Sequence, residues 1–171
     1  NVGASTITGD LTLTSAAAAG DSHTGINDTG TVSVGGNFSA TTTGNNGAIT
    51  LDSLAVTTNS SDADGEIALQ THGSGNATVV NANGLDFAAS SVGGALSATA
   101  TLGNITQGSG ALTVTGTATF QTDADGSNIV LNSASNAFSS WVKMKADDGG
   151  ASSTGNETFG NIEFVDSGAV V

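Results

Sequence analysis

Apolar and polar residues alternate in short runs along the whole chain. Leu11-Thr12-Leu13, Val32-Ser33-Val34, Ile49-Thr50-Leu51, Ile67-Ala68-Leu69, Leu112-Thr113-Val114 and Ile129-Val130-Leu131 are the clearest. Period-2 runs bounded by Gly, Asn and Asp predict strands with one buried face. A sustained helical period is absent; the one helix-like patch, Ala16 to Ala19, is closed by Gly20. The Ser, Thr, Asn and Gly between the runs could suggest a flexible linker. Disordered linkers lack recurring aliphatic and β-branched residues, so that alternative fails.

The runs repeat. At an offset of 85, residues 86–99 fall on residues 1–14 with five identities (Ala, Ser, Gly, Leu, Thr). At an offset of 80, residues 110–116 fall on 30–36, and Ile129 to Ser133 falls on Ile49 to Ser53. At 95, Gly160 to Phe164 falls on Gly65 to Leu69. A drifting offset means insertions at turns, which solenoids tolerate. The chain divides into two half-repeats, 1–85 and 86–171. Val171 corresponds to Leu85, after which a copy of the N-terminal pattern begins, so one period of a longer tandem array is expected.

Inside each half a turn glycine precedes an aliphatic strand, as at Gly47, Gly65, Gly103, Gly126 and Gly160. A unit of about 20 residues with two or three short strands is one turn of a β-solenoid. The expected fold is all-β: a parallel β-helix of about eight or nine coils, forming a rod about 40 Å long. Inward Val, Ile, Leu and Phe would stack into a narrow core, with Thr, Ser and Asn in outward ladders. The rival is an antiparallel β-sandwich. Uneven glycine turns and long-range self-similarity favour the solenoid.

Composition narrows the function. Two basic and 15 acidic residues give a net charge of −13. The only cations among the long side chains are Lys143 and Lys145, too few for phosphate binding, so no nucleic-acid partner is expected. With no cysteine, disulfide scaffolds and Cys-based zinc sites are excluded. An apolar stretch of about 20 residues is missing, so no membrane insertion by a helix is expected. Nor does a signal peptide stand at Asn1, which suggests mature material or an excerpt.

Three stretches carry a family resemblance: Leu112 to Phe120, Gly126 to Phe138, and Val2 to Leu13. They resemble the repeats of filamentous-haemagglutinin-like bacterial surface adhesins of the two-partner-secretion type. The resemblance implies right-handed coils and a position outside the cell or on the bacterial surface. It implies the role of a stalk or shaft segment of an adhesin or filament. That family's secretion domain carries Asn-Pro signatures, and with no proline this chain does not contain that domain.

Candidate sites are few. Asp62-Ala63-Asp64-Gly65 and Asp123-Ala124-Asp125-Gly126 repeat one tetrapeptide at two turns. Alternating carboxylates before glycine can offer oxygens to Ca²⁺, with help from Asn59, Glu66 and Ser127. Neither matches an EF-hand loop, and an Asx-turn explains the same residues. Asp147-Asp148 is a third acidic turn. Trp141-Val142-Lys143-Met144-Lys145 is the one basic stretch. As a strand it puts Trp141, Lys143 and Lys145 on one face, an interface for an acidic neighbour or a solvated face pairing with Glu163 on the next coil. Thr-x-Thr pairs are too irregular to resemble the face of ice-binding solenoids. His23 and His72 are solitary where a metal would need three or four ligands. Asn-x-Ser/Thr sequons occur at Asn27, Asn37, Asn59, Asn76, Asn104 and Asn156, as this composition produces by chance.

Two classes of function follow. The first is structural and non-catalytic. Its partners would be neighbouring copies end to end, and host or matrix glycans or proteins, with calcium-stabilised matrix filaments as a variant. The second is a polysaccharide-acting parallel β-helix enzyme using carboxylates. A lyase would need Lys or Arg as base and clamp, and both lysines lie on one strand. With no converged acid/base set, the structural class is expected. No polar cap is visible at either end, so end-to-end association or fraying is expected as well.

Overall fold

A computed structural model describes residues 1–20, 25–57, 65–108, 110–146 and 159–168. Strands pair in parallel throughout, in two sheets that face one another across the core. The first sheet holds β1 (Ser5–Ile7), β3 (Ile26–Asn27), β4 (Val32–Val34), β6 (Ile49–Val56), β8 (Ala77–Asn81), β11 (Leu96–Ala100), β14 (Ala118–Thr122) and β17 (Val142–Ala146). The second holds β2 (Leu11–Ser15), β5 (Phe38–Thr42), β7 (Glu66–Gln70), β9 (Leu85–Phe87), β10 (Ser90–Val92), β12 (Ile105–Gln107), β13 (Leu112–Val114), β15 (Ile129–Leu131), β16 (Ala137–Phe138) and β18 (Ile162–Phe164).

The chain therefore winds as a β-solenoid, and the sandwich alternative falls because every pairing is parallel. The coil number needs correction. Along the first sheet seven strands follow one another, β1-β4-β6-β8-β11-β14-β17, so five have neighbours on both sides. The described solenoid makes about five turns, not eight or nine. Six rung steps of about 4.8 Å span about 29 Å. The shortfall arises because one rung often uses two short strands. β9 and β10 both pair with β7, so they are one level of the stack and not two.

Alternation decides what is buried. β8 and β14 both show every second side chain inward and fully covered. The core is a single column of aliphatic residues and phenylalanines, from Ile26 to Ala146. Phe87, Phe120 and Phe138 contact one another edge-on along it. Glycine is required where coils approach most closely. A Cβ on Gly25, which has φ +92°, would stand 1.8 Å from the carbonyl oxygen of Ala48. The Ala16–Ala19 patch is not helical: the Ala17 N–H donates to Ser15 Oγ (3.3 Å) and the Ala19 N–H to the Asn45 carbonyl (2.9 Å). Among the described residues no helix is long and apolar enough to cross a membrane.

The internal repeat has a geometric counterpart. A three-residue strand, a short turn and a five-residue strand recur as β1–β2, β4–β5, β10–β11 and β13–β14. In the first two units the short strand lies in the first sheet and the long one in the second. In the last two units the sheets are exchanged. The changeover falls between β7 and β8, five residues each, which make a coil with long strands in both sheets.

Candidate functional site

The polar chemistry of this chain lies at the corners and on the outer faces of the sheets. At the corners one bond type recurs. A side-chain oxygen of one coil accepts from the backbone N–H of the next: Asp10 from Asn37 (2.8 Å), Asn37 from Glu66 (3.0 Å). The same relay runs from Asn104 to Asn128 (2.8 Å) and from Asn128 to Asn161 (2.7 Å). Asn76 does likewise for Ala95 (2.8 Å). Most of these corners are exposed, so water is the alternative partner and each bond contributes about 0.5–1.5 kcal/mol. The Asn-rich turns thus follow from the geometry of stacking.

Among the described residues two asparagines are wholly buried. Asn81 accepts from the Val56 N–H (2.8 Å) and donates to the carbonyls of Val56 (3.0 Å) and Gly84 (2.6 Å). Asn136 accepts from the Leu112 N–H (2.9 Å) and donates to the carbonyls of Leu131 (3.3 Å) and Val165 (3.2 Å), which spans three coils. Gln107 pairs with it in both directions, at 2.6 and 3.0 Å. Neither residue stands out in the sequence, where Asn is common at turns.

Carboxylates form two features that the sequence did not disclose. Asp28 is buried, and its oxygens accept from the backbone N–H groups of Ser53 (2.9 Å) and Asp52 (3.2 Å). Both donors lie in the β6 bulge between Leu51 and Leu54, so Asp28 holds the bulge. Burial pushes its pKa above the ordinary range; the two backbone bonds oppose this, and the Asp52 charge adds to it. Glu66 and Asp86 stand opposite one another on adjacent coils. Glu66 is also raised, by burial first and by the Asp86 charge second. Thr106 Oγ1 donates to Asp86 Oδ1 (2.9 Å).

The sequence-predicted residues are placed as follows. Asp62 and Asp64 lie outside the described residues, as do Asn59, His23, Asp147 and Asp148. Asp123 is half-buried, bonded by Gln121 Nε2, and its N–H donates to the Ala100 carbonyl (2.9 Å). Asp125 is exposed in the adjoining turn, which the Ser127 N–H closes onto the Ala124 carbonyl (3.2 Å). Among the described residues no group of three or more His, Asp or Glu converges as a metal site. His72 is exposed, and its backbone carbonyl receives the Asn46 N–H (3.1 Å).

Lys143 and Lys145 project outward from β17, opposite Thr119 and Gln121, while Val142 and Met144 pack against the core. Trp141 is 80% exposed beside them. The pairing of this face with Glu163 is corrected. Glu163 lies in the other sheet, opposite Val130, and accepts from Asn132 Nδ2 (3.0 Å).

Residues 74–145 match the family described as repeats of unknown function (DUF5649). The matched span, under half of the chain, runs through β8, β11, β14 and most of β17. It covers the coils whose long strands line the first sheet. Neither a curated protein nor a solved structure matches the chain. The match and the parallel stack together support a repeat β-helical protein.

Proposed function

We propose that this chain is a shaft segment of an extracellular bacterial adhesin or filament, acting by rigid extension and carrying attachment to host or matrix glycans or proteins. The supporting observation is the relay of corner bonds, Asp10 to Asn37 to Glu66 and Asn104 to Asn128 to Asn161, along one continuous parallel stack. A device repeated coil after coil serves length and stiffness; a catalytic site would need one place unlike the rest. A charge of −13 suits rods that must stay soluble and apart. The outward face of Trp141, Lys143 and Lys145 offers an aromatic and cationic contact for an acidic partner.

The test is to label intact and permeabilised source cells with antibodies to this chain, and to image the native material by cryo-electron microscopy. Surface labelling of intact cells, with thin fibres showing an axial spacing of about 4.8 Å, supports the proposal. Labelling only after permeabilisation, or discrete globules, overturns it.

One observation favours a second reading, a carboxylate-based hydrolase of polysaccharides. Glu66 and Asp86 stand opposite one another on adjacent coils, and burial and then the Asp86 charge raise the pKa of Glu66. A facing pair of carboxyls, one of them more basic than usual, is the kind of pair a glycosidase uses as acid and nucleophile or base. Release of reducing ends from a polysaccharide panel, abolished by Glu66→Gln, would establish it.

A further inference from the structure

The two sheets differ in the charge of their outer faces. On the first sheet, from β8 to β14, the outward positions carry threonine, serine, valine and glutamine. On β17 they carry Lys143 and Lys145, one rung beyond Thr119 and Gln121. No carboxylate stands in these four strands. Trp141, the one tryptophan of the chain, is exposed at the head of the lysine row.

The second sheet presents the opposite charge. Glu66 and Asp86 face one another on adjacent rungs. Their register column runs back to Asp10, whose carboxylate accepts the Asn37 N–H while Asn37 accepts that of Glu66. It runs forward to Thr106, and the pairing of Ile105 with Ile129 carries it on to Val130 and Glu163. Four carboxylates thus share one column. Asp10 and Glu163 are exposed, and Glu66 and Asp86 are half-buried. Both features lie on outer faces, which coils stacking along the axis leave uncovered.

We infer that copies of this chain pack side by side, with Trp141, Lys143 and Lys145 of one copy laid on the Glu66–Asp86 column of the next. Charge complementarity selects this partner. The chain's only two lysines meet its own carboxylate column, and Trp141 supplies an apolar anchor beside them. The two faces lie on opposite sides of the rod, so the contact is heterologous and repeats into lateral rows. A face about 29 Å long and about 16 Å across buries at most about 900 Å² over both partners, the size of a weak, transient contact. Salt acts on it in two directions. Each copy carries −13, and at about 10 mM salt a screening length of about 30 Å lets whole bodies repel. At about 0.15 M it shrinks to about 8 Å, and only the facing groups count. At about 1 M it is about 3 Å, and the attraction of lysine for carboxylate is screened as well. Association is therefore greatest at intermediate salt. It deepens the shaft proposal by naming the acidic partner of the Trp141 face, but it does not depend on where the protein resides.

The experiment uses the 171-residue chain at concentrations up to about 1 mM, where weak contacts populate. Small-angle X-ray scattering is expected to give a mean mass that peaks at about 0.15 M NaCl and falls toward both about 10 mM and about 1 M. The fluorescence of the single tryptophan should shift to the blue at the same peak. Lys143→Gln with Lys145→Gln is expected to weaken association about two- to thirtyfold. Both lysines are exposed, so this variant keeps the fold. The contact itself is read by carbodiimide coupling of a mixture of isotope-labelled and unlabelled chains. Peptides of mixed label should join Lys143 or Lys145 to the carboxylates of the column. Monomer at every salt concentration overturns the inference and leaves the Trp141 face to an acidic partner of another kind. A mass that changes in one direction only with salt overturns it too, as do mixed-label links to carboxylates outside the column. Each of these results would leave a folded rod in place, so failure here is distinguishable from failure of the shaft proposal.

Discussion

The ring of Phe120, from the first sheet, meets the ring of Phe87, from the second, edge-on with centroids 6.1 Å apart. Phe138, from β16 of the second sheet, meets Phe120 at the same distance. One side chain thus ties both sheets across the core. Phe120→Ala would remove both contacts and leave a cavity in a core too narrow to collapse around it. The expected cost is about 3–5 kcal/mol. Thr119→Ala, on the outer face of the same strand, should cost less than about 0.5 kcal/mol. Urea midpoints of the two variants decide the matter. Equal effects would mean that the core column does not carry the stability.

Asn136 makes a stronger claim on a polar side chain. It satisfies the Leu112 N–H and the carbonyls of Leu131 and Val165 at once. Asn136→Leu would orphan all three groups, at about 1–3 kcal/mol each. The expected loss exceeds about 3 kcal/mol. Asn136→Asp keeps the acceptor for Leu112 but turns a carboxylate on two carbonyls, so its deficit should grow as pH rises. A deficit independent of pH would show that the amide donors are not essential.

The parallel solenoid was legible because its causes are local. Alternation along Leu112-Thr113-Val114 and glycine before Ile129 report strand and corner directly. Coil number was not, because nothing in a three-residue run says whether it fills a rung alone or shares it, as β12 and β13 do. Strand neighbours across long insertions were equally hidden. Glu163 follows Lys145 closely in sequence, yet it belongs to the opposite sheet. Asp28 offered no signal, since its value lies in reaching the β6 bulge, 24 residues later. The trio of Trp141, Lys143 and Lys145 was placeable on one face by period 2 alone, but not the neighbours that Lys143 and Lys145 have in β14, Thr119 and Gln121.

Mild acid should stabilise this protein. Asp28 and Glu66 have folded pKa values above their ordinary ones. For a raised carboxyl the folded state binds the proton more tightly, so its contribution is complete below the unfolded pKa. It is lost as pH rises through the folded value. Protonation also reduces the self-repulsion of a chain at −13. Tm is therefore expected to rise as pH falls from about 7.5 to about 5, and Glu66→Gln should reduce that rise. A Tm that falls steadily over this interval would contradict both shifts.

The two half-repeats pack the same unit with its large residue moved. β5 carries Phe38 and Ala40 on its inward face, whereas the matching β14 carries Ala118 and Phe120. The units lie in opposite sheets, so each phenylalanine points into a space shaped by different neighbours. Phe38 stacks between Leu11 and Ile67, while Ala40 lies between Leu13 and Leu69. Phe38→Ala with Ala40→Phe keeps composition and total volume unchanged. It opens a cavity at the first place and overfills the second, so the expected cost is about 4–8 kcal/mol, the sum of both effects. If volume alone mattered, the pair would cost less than about 1.5 kcal/mol. Calorimetry of the double variant separates the two outcomes. A near-neutral result would mean that the halves share one interchangeable packing, and that the exchange of sheets between them has no consequence for the core.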